Sequence, residues 1–102
     1  MTTSVYSIET EASTTRMLVR GILDFQTAPA LADPIDTIIK SRATAVVVDA
    51  SQLDIIDSSG VAALVKLYKG VRAYGGSMVV VGAKDQPLTI FKLLRMDKVF
   101  LQ

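Results

Sequence analysis

The chain has 102 residues, half of them apolar, with eleven Lys and Arg against ten Asp and Glu and no Cys, His or Trp. That is enough for one small α/β domain over residues 1–102, and it excludes a Ser/His/Asp triad, a thiolate nucleophile, a disulfide framework and a cysteine or histidine zinc cluster. A net charge of +1 argues against a nucleic-acid surface, which normally carries a clear basic excess.

The apolar runs Ala45–Val48 and Met78–Ala83 are far shorter than the ~18 residues of a spanning helix. Met1 to Thr10 lacks the basic and apolar regions of a signal peptide. The expectation is a protein of the cytoplasm without membrane insertion.

Val5-Tyr6-Ser7-Ile8 alternates and Met17 to Leu23 is β-rich, with Glu11-Ala12-Ser13 between them, so a hairpin at one sheet edge is expected. Leu31, Ile35, Ile38 and Ile39 then recur at helical spacing, with Asp24 or Thr27 as candidate caps. Pro29 suits a first turn, whereas Pro34 predicts a kink or a delayed start, because proline lacks an N–H and crowds the preceding turn.

Ala45-Val46-Val47-Val48 reads as a central parallel strand with helices on both faces. A second helix begins at Ser58, with Val61, Leu64, Val65, Tyr68 and Val71 on one side and Lys66, Lys69 and Arg72 on a solvated basic side; Gly75-Gly76 ends it. Met78 to Val81 is another buried strand. Pro87 opens a third helix whose Leu88, Phe91, Leu94 and Met96 read as core, and Val99-Phe100-Leu101 reads as a last short strand. The order β-β-α-β-α-β-α-β, with three helices and a mostly parallel sheet of four or five strands, places candidate sites in the loops after the strands, Asp24–Ala28 and Asp49–Gly60.

The second loop ends in Asp57-Ser58-Ser59-Gly60 before an apolar helix. Taken alone this is an ordinary N-cap with Asp57 as the capping residue. It also sets a serine where free N–H groups and the helix dipole favour an anion, so Ser58 is a candidate phosphate acceptor; Ser59 is the alternative, its hydroxyl better placed to serve the helix start. Gly60, without a side chain, is expected to let a partner approach that hydroxyl. Asp24, Asp49, Asp54 and Asp57 form a weak magnesium candidate, because no lysine or hydroxyl at receiver-domain spacing accompanies them.

Asp57-Ser58-Ser59-Gly60-Val61, preceded by the valine-rich strand, Asp49 and Leu53, resembles the signature of STAS domains, the anti-sigma factor antagonist family. Gly21-Ile22-Leu23-Asp24 is similar to that family's turn before the first helix, and Gly75 to Val80 to its glycine-led strand. Ile22, Pro34 and Arg95 depart from the family pattern.

The resemblance implies a non-enzymatic switch protein of a bacterial partner-switching pathway, without a cofactor. Its unphosphorylated form would bind an anti-sigma factor that is also a serine kinase of histidine-kinase-like ATPase fold, and so release a sigma factor. Phosphorylation of Ser58 would end that binding, and a metal-dependent serine phosphatase would restore it. Asp24, Asp57, Ser59 and Gly60 would form the partner-binding surface. Two other roles known in the family are a regulatory subunit on the ATPase of a lipid-transporting ABC system and a nucleotide- or lipid-sensing module. An independent enzyme fits least, since no candidate base accompanies Asp57 and Ser58.

Overall fold

The computed structural model describes residues 5–101; residues 1–4 and 102 of the expected domain lie outside the described residues. Strands β1 (Tyr6–Glu11) and β2 (Thr14–Leu23) form the expected hairpin, closed by Ala12 and Ser13 with Ala12 at φ +55. A 3-10 turn at Ala28–Leu31 leads into α1 (Ala32–Ser41), followed by β3 (Ala45–Ile56), α2 (Ser58–Ala73), β4 (Ser77–Val81), α3 (Asp85–Leu93) and α4 (Asp97–Phe100). The sheet order is β1-β2-β3-β4, antiparallel in the hairpin and parallel elsewhere.

Pro34 acts as a delayed start. The α-helix begins at Ala32, which makes Pro34 its third residue, where an N–H has no helical partner to lose. The opposite end of α2 closes as expected at the glycine pair: Gly75, at φ +89, and Gly76 donate back to the carbonyls of Arg72 and Val71, both at 3.0 Å.

Buried and partly exposed residues alternate along the sheet. Met17, Val19, Val46, Val48, Met78 and Val80 are buried, whereas Arg16, Leu18, Val47, Asp49, Val79 and Val81 remain partly open. The helices therefore cover one face and leave the other to solvent, which corrects the expectation of cover on both faces. A run of valines has the same β-propensity whether its alternate members are fully or only half buried.

The chain's end also differs from expectation. Residues 97–100 form the short α4, and only Leu101 makes a strand-like contact, a single parallel bridge to Val80. Phe100 explains this. It is fully buried edge-on to Tyr68 and Phe91, with ring centroids at 5.7 and 5.8 Å, and a helical turn brings it there. Of the residues read as core on the third helix, Phe91 is buried, Leu88 and Met96 are half-buried, and Leu94 is exposed. In α2 the inner face also includes Leu67, with Val65 and Tyr68 at its margin.

Candidate functional site

The segment expected as a loop from Asp49 is strand as far as Ile56. The pairing of β2 with β3 slips twice: Leu18 faces Asp49 but Arg20 faces Gln52, and Gly21 faces Leu53 but Ile22 faces Ile55. Each slip inserts one extra residue into β3, a bulge that shifts the phase of alternation. Ala50, Leu53 and Ile56 consequently all point into the core, three residues apart.

Beyond Val81 the neighbouring strand β4 has ended, and the side chain of Gln86 on α3 takes its place. Its Oε1 accepts from the Ile56 N–H at 2.9 Å and its Nε2 donates to the Ile56 carbonyl at 2.8 Å. This pair fixes the last strand residue before Asp57-Ser58. No local sequence pattern marks Gln86, because its partner lies thirty positions away.

Asp57 is the N-cap of α2. Its Oδ1 accepts from the N–H groups of Ser59 (2.8 Å) and Gly60 (3.0 Å), and its Oδ2 accepts from the Phe25 N–H at 3.1 Å. One carboxylate therefore starts the helix and holds the loop after β2 beside it. Asp24 is spent inside that same loop: its Oδ1 accepts from the N–H groups of Gln26 (2.9 Å) and Thr27 (3.2 Å), while the Thr27 hydroxyl donates to the Ile22 carbonyl at 2.7 Å. Thr27 precedes the 3-10 turn without a side-chain cap bond.

Ser58 is the first residue of α2 and is exposed; Ser59 is half-buried. The N–H groups of Ser59 and Gly60, expected to be free for an anion, are already engaged by Asp57. A phosphoryl group on Ser58 would therefore lie beside a carboxylate. Gly60 is buried, and a Cβ there would lie 2.5 Å from the Leu23 carbonyl oxygen and 2.7 Å from Ile56 Cγ1. Its bare Cα lets α2 approach the sheet.

The carboxyl end of β2 and β3, where Ser58 follows, carries exposed apolar side chains that the motif alone does not name. Ile22 and Ile55, paired across β2 and β3, are 52% and 43% exposed, and Phe25, on the loop tethered by Asp57, is 67% exposed. Partly exposed apolar side chains grouped at one end of a sheet are the kind of surface that a partner covers. Phe25 was legible only as an aromatic within the flagged segment Asp24–Ala28. An open depression of about 620 Å³, lined by Val5, Arg20, Gly21, Ile22, Thr27, Gln52 and Asp54, adjoins Ile22.

Asp49, one of the four carboxylates considered for magnesium, sits elsewhere on the open sheet face. It pairs with Arg16 at 2.9 Å and accepts from the Ser51 N–H at 2.9 Å. Hydrogen bonding from Ser51 above all, aided by Arg16, holds its carboxyl below the usual range. Among the described residues no three His, Cys, Asp or Glu side chains are grouped to hold a metal ion, and no helix is long and apolar enough to cross a membrane. On the basic α2 face, Lys66 lies 3.4 Å from Asp36 of α1.

The molecule is thus a small mixed sheet backed by helices, with an exposed serine at a capped helix start and exposed apolar side chains at the same end of the sheet. The sequence model of the family described as "Mlab, STAS domain" matches residues 6–102, and the chain belongs to the STAS family. No curated protein matches it by sequence.

Among solved structures it is similar to an anti-sigma factor antagonist from Mycobacterium paratuberculosis (25% identity, TM-score 0.79, 93% of this chain and 80% of that one). The phosphorylated form of the Bacillus cell fate determinant SpoIIAA aligns at 20% identity and TM-score 0.75, over 91% and 86% of the two chains. A sulfate transporter family protein from Wolinella succinogenes aligns at 16% and 0.74, over 90% and 74%. The last two likenesses are of fold.

Proposed function

We propose that this chain is an anti-sigma factor antagonist of a bacterial partner-switching pathway, a non-catalytic regulator acting in the cytoplasm and switched by phosphorylation of Ser58. The observation that carries this reading is the exposed Ser58 at the start of α2, a helix capped by Asp57, which also tethers the loop of exposed Phe25, with exposed Ile22 and Ile55 at the same end of the sheet.

In the unphosphorylated form the neutral hydroxyl and these apolar side chains can be desolvated together under a partner, here an anti-sigma factor with serine kinase activity. Phosphorylation adds about −1.5 to −2 charge. With the N–H groups of Ser59 and Gly60 already engaged, the phosphate meets the Asp57 carboxylate, and the contact becomes costly to desolvate and repulsive. The switch needs no refolding, and a metal-dependent serine phosphatase resets it. Asp57 and Asp24 act by shaping this surface, and Ser59 by its place next to the acceptor.

The test is intact mass with site mapping after incubation with ATP and the histidine-kinase-like ATPases of the source organism. One added phosphoryl group on Ser58, lost in Ser58→Ala, is expected. Modification that persists in Ser58→Ala and maps to Ser59 would move the acceptor by one residue, and no modification by any kinase would reject the switch.

A second reading is a regulatory STAS subunit of a transporter, in which the same exposed apolar side chains dock on a transport ATPase. The family description and the likeness to a sulfate transporter family protein support it. Binding to an ABC ATPase that is unchanged in Ser58→Asp would favour that reading.

A further inference from the structure

Two exposed apolar groups lie at different ends of the molecule and carry opposite charge. At the carboxyl end of β2 and β3, Ile22, Phe25 and Ile55 are accompanied by Asp24, Asp54 and Asp57 against the half-buried Arg20. Lys84 and Asp85, at the nearby start of α3, offset each other. At the far end of α3, Leu93 and Leu94 are 72% and 48% exposed and Val99 is also open, accompanied by exposed Lys92, Arg95 and Lys98 against Asp97.

The two groups cannot meet within one molecule. Gln86 ties the start of α3 to Ile56 at the carboxyl end of the sheet. The nine residues of α3 then carry the chain about 13 Å away from that end. Phe91 rests on Phe100, and Phe100 on Tyr68, ten residues into α2. Arg95 is held at φ +58, a conformation that disfavours every side chain and that glycine would adopt freely, yet this corner carries an exposed cation there.

We propose that the basic apolar corner of one copy docks, head to tail, on the acidic apolar end of a second copy. Pairing either patch with itself would oppose like charges, whereas pairing the two sets lysine and arginine against aspartate over a shared apolar contact. A net charge of only +1 leaves little overall repulsion between copies. Because the two surfaces differ, the contact is heterologous and each added copy presents a fresh one. It covers the surroundings of Ser58, so self-association and binding of another partner there exclude each other. The inference does not depend on phosphorylation of Ser58.

Sedimentation equilibrium of the purified protein tests it, with Phe25→Asp and Leu93→Asp, both at exposed positions and checked for folding by circular dichroism. Wild type is expected to rise above its 11.0 kDa monomer mass with concentration, less so at high salt, where screening weakens the charge pairing. Each variant alone should stay monomeric, and an equimolar mixture should form a species of twice the monomer mass and nothing larger, since each variant retains the surface the other has lost. A wild type that stays monomeric at all concentrations, variants that associate like wild type, or a mixture that stays monomeric would each overturn the proposal.

Discussion

At Gly60 the usual preference for alanine inside a helix is reversed by packing. Alanine is favoured over glycine in a helix interior by about 1 kcal/mol, but here the added Cβ would stand 2.5 Å from the Leu23 carbonyl oxygen, a backbone atom that cannot turn aside. Gly60→Ala is expected to lower stability by about 1–3 kcal/mol, the range for overpacking a tight contact, as measured by urea unfolding. The same residue shows where sequence reading stops. Asp-Ser-Ser-Gly is legible as a cap, and Asp57 does cap, but whether the glycine faces a partner or the sheet depends on how α2 lies against β2. The Asp57 to Phe25 tether was illegible for a similar reason: it joins residues 32 positions apart.

At the scale of the element, α3 ends in a strained way. Arg95, at φ +58, follows the last helical turn, and the N–H groups of Arg95 and Met96 donate back to the carbonyls of Lys92 (3.1 Å) and Phe91 (2.7 Å). This is the glycine-favouring helix end, with arginine in the glycine position. Arg95→Gly is expected to stabilise the fold by about 1 kcal/mol, because relief of a left-handed side chain outweighs the entropy glycine adds to the unfolded chain; a higher midpoint of thermal unfolding is the check. Strand β3 illustrates the opposite limit of legibility. Its first half, a valine run, was readable, while its second half was hidden because two bulges replace the period of two with steps of three between Ala50, Leu53 and Ile56.

For the whole molecule, the open face of the sheet leaves its ion pairs in contact with water, so stability should respond to acid through Asp49. Its carboxyl is held below the ordinary value by Ser51 and Arg16. A depressed folded-state value contributes stability that is present above the unfolded value, about 3.9, and is lost as pH falls through the folded one. Asp49→Asn should therefore be less stable than wild type at neutral pH, with the gap closing as the pH falls below about 4. Urea midpoints measured across that range provide the comparison, and a gap independent of pH would assign the effect to packing. The difference should be modest, since the Arg16 side chain is half exposed and water screens the pair.

The sequence by itself determined what depends on neighbours along the chain: the hairpin, the first three helices with the Asp57 cap of α2 and its glycine end, the buried valine strands, and the Asp57-Ser58-Ser59-Gly60 motif with its family. Periodicity, capping and turn chemistry act over a few residues and can be read there. The tertiary structure alone decided which face of the sheet stays open, that residues 97–100 coil so that Phe100 can pack on Phe91 and Tyr68, that Gln86 completes the end of β3, and that Asp57 tethers the Phe25 loop beside the start of α2 while Ile22 pairs with Ile55. These are contacts between residues distant in the chain, settled by the competition of all side chains for one core.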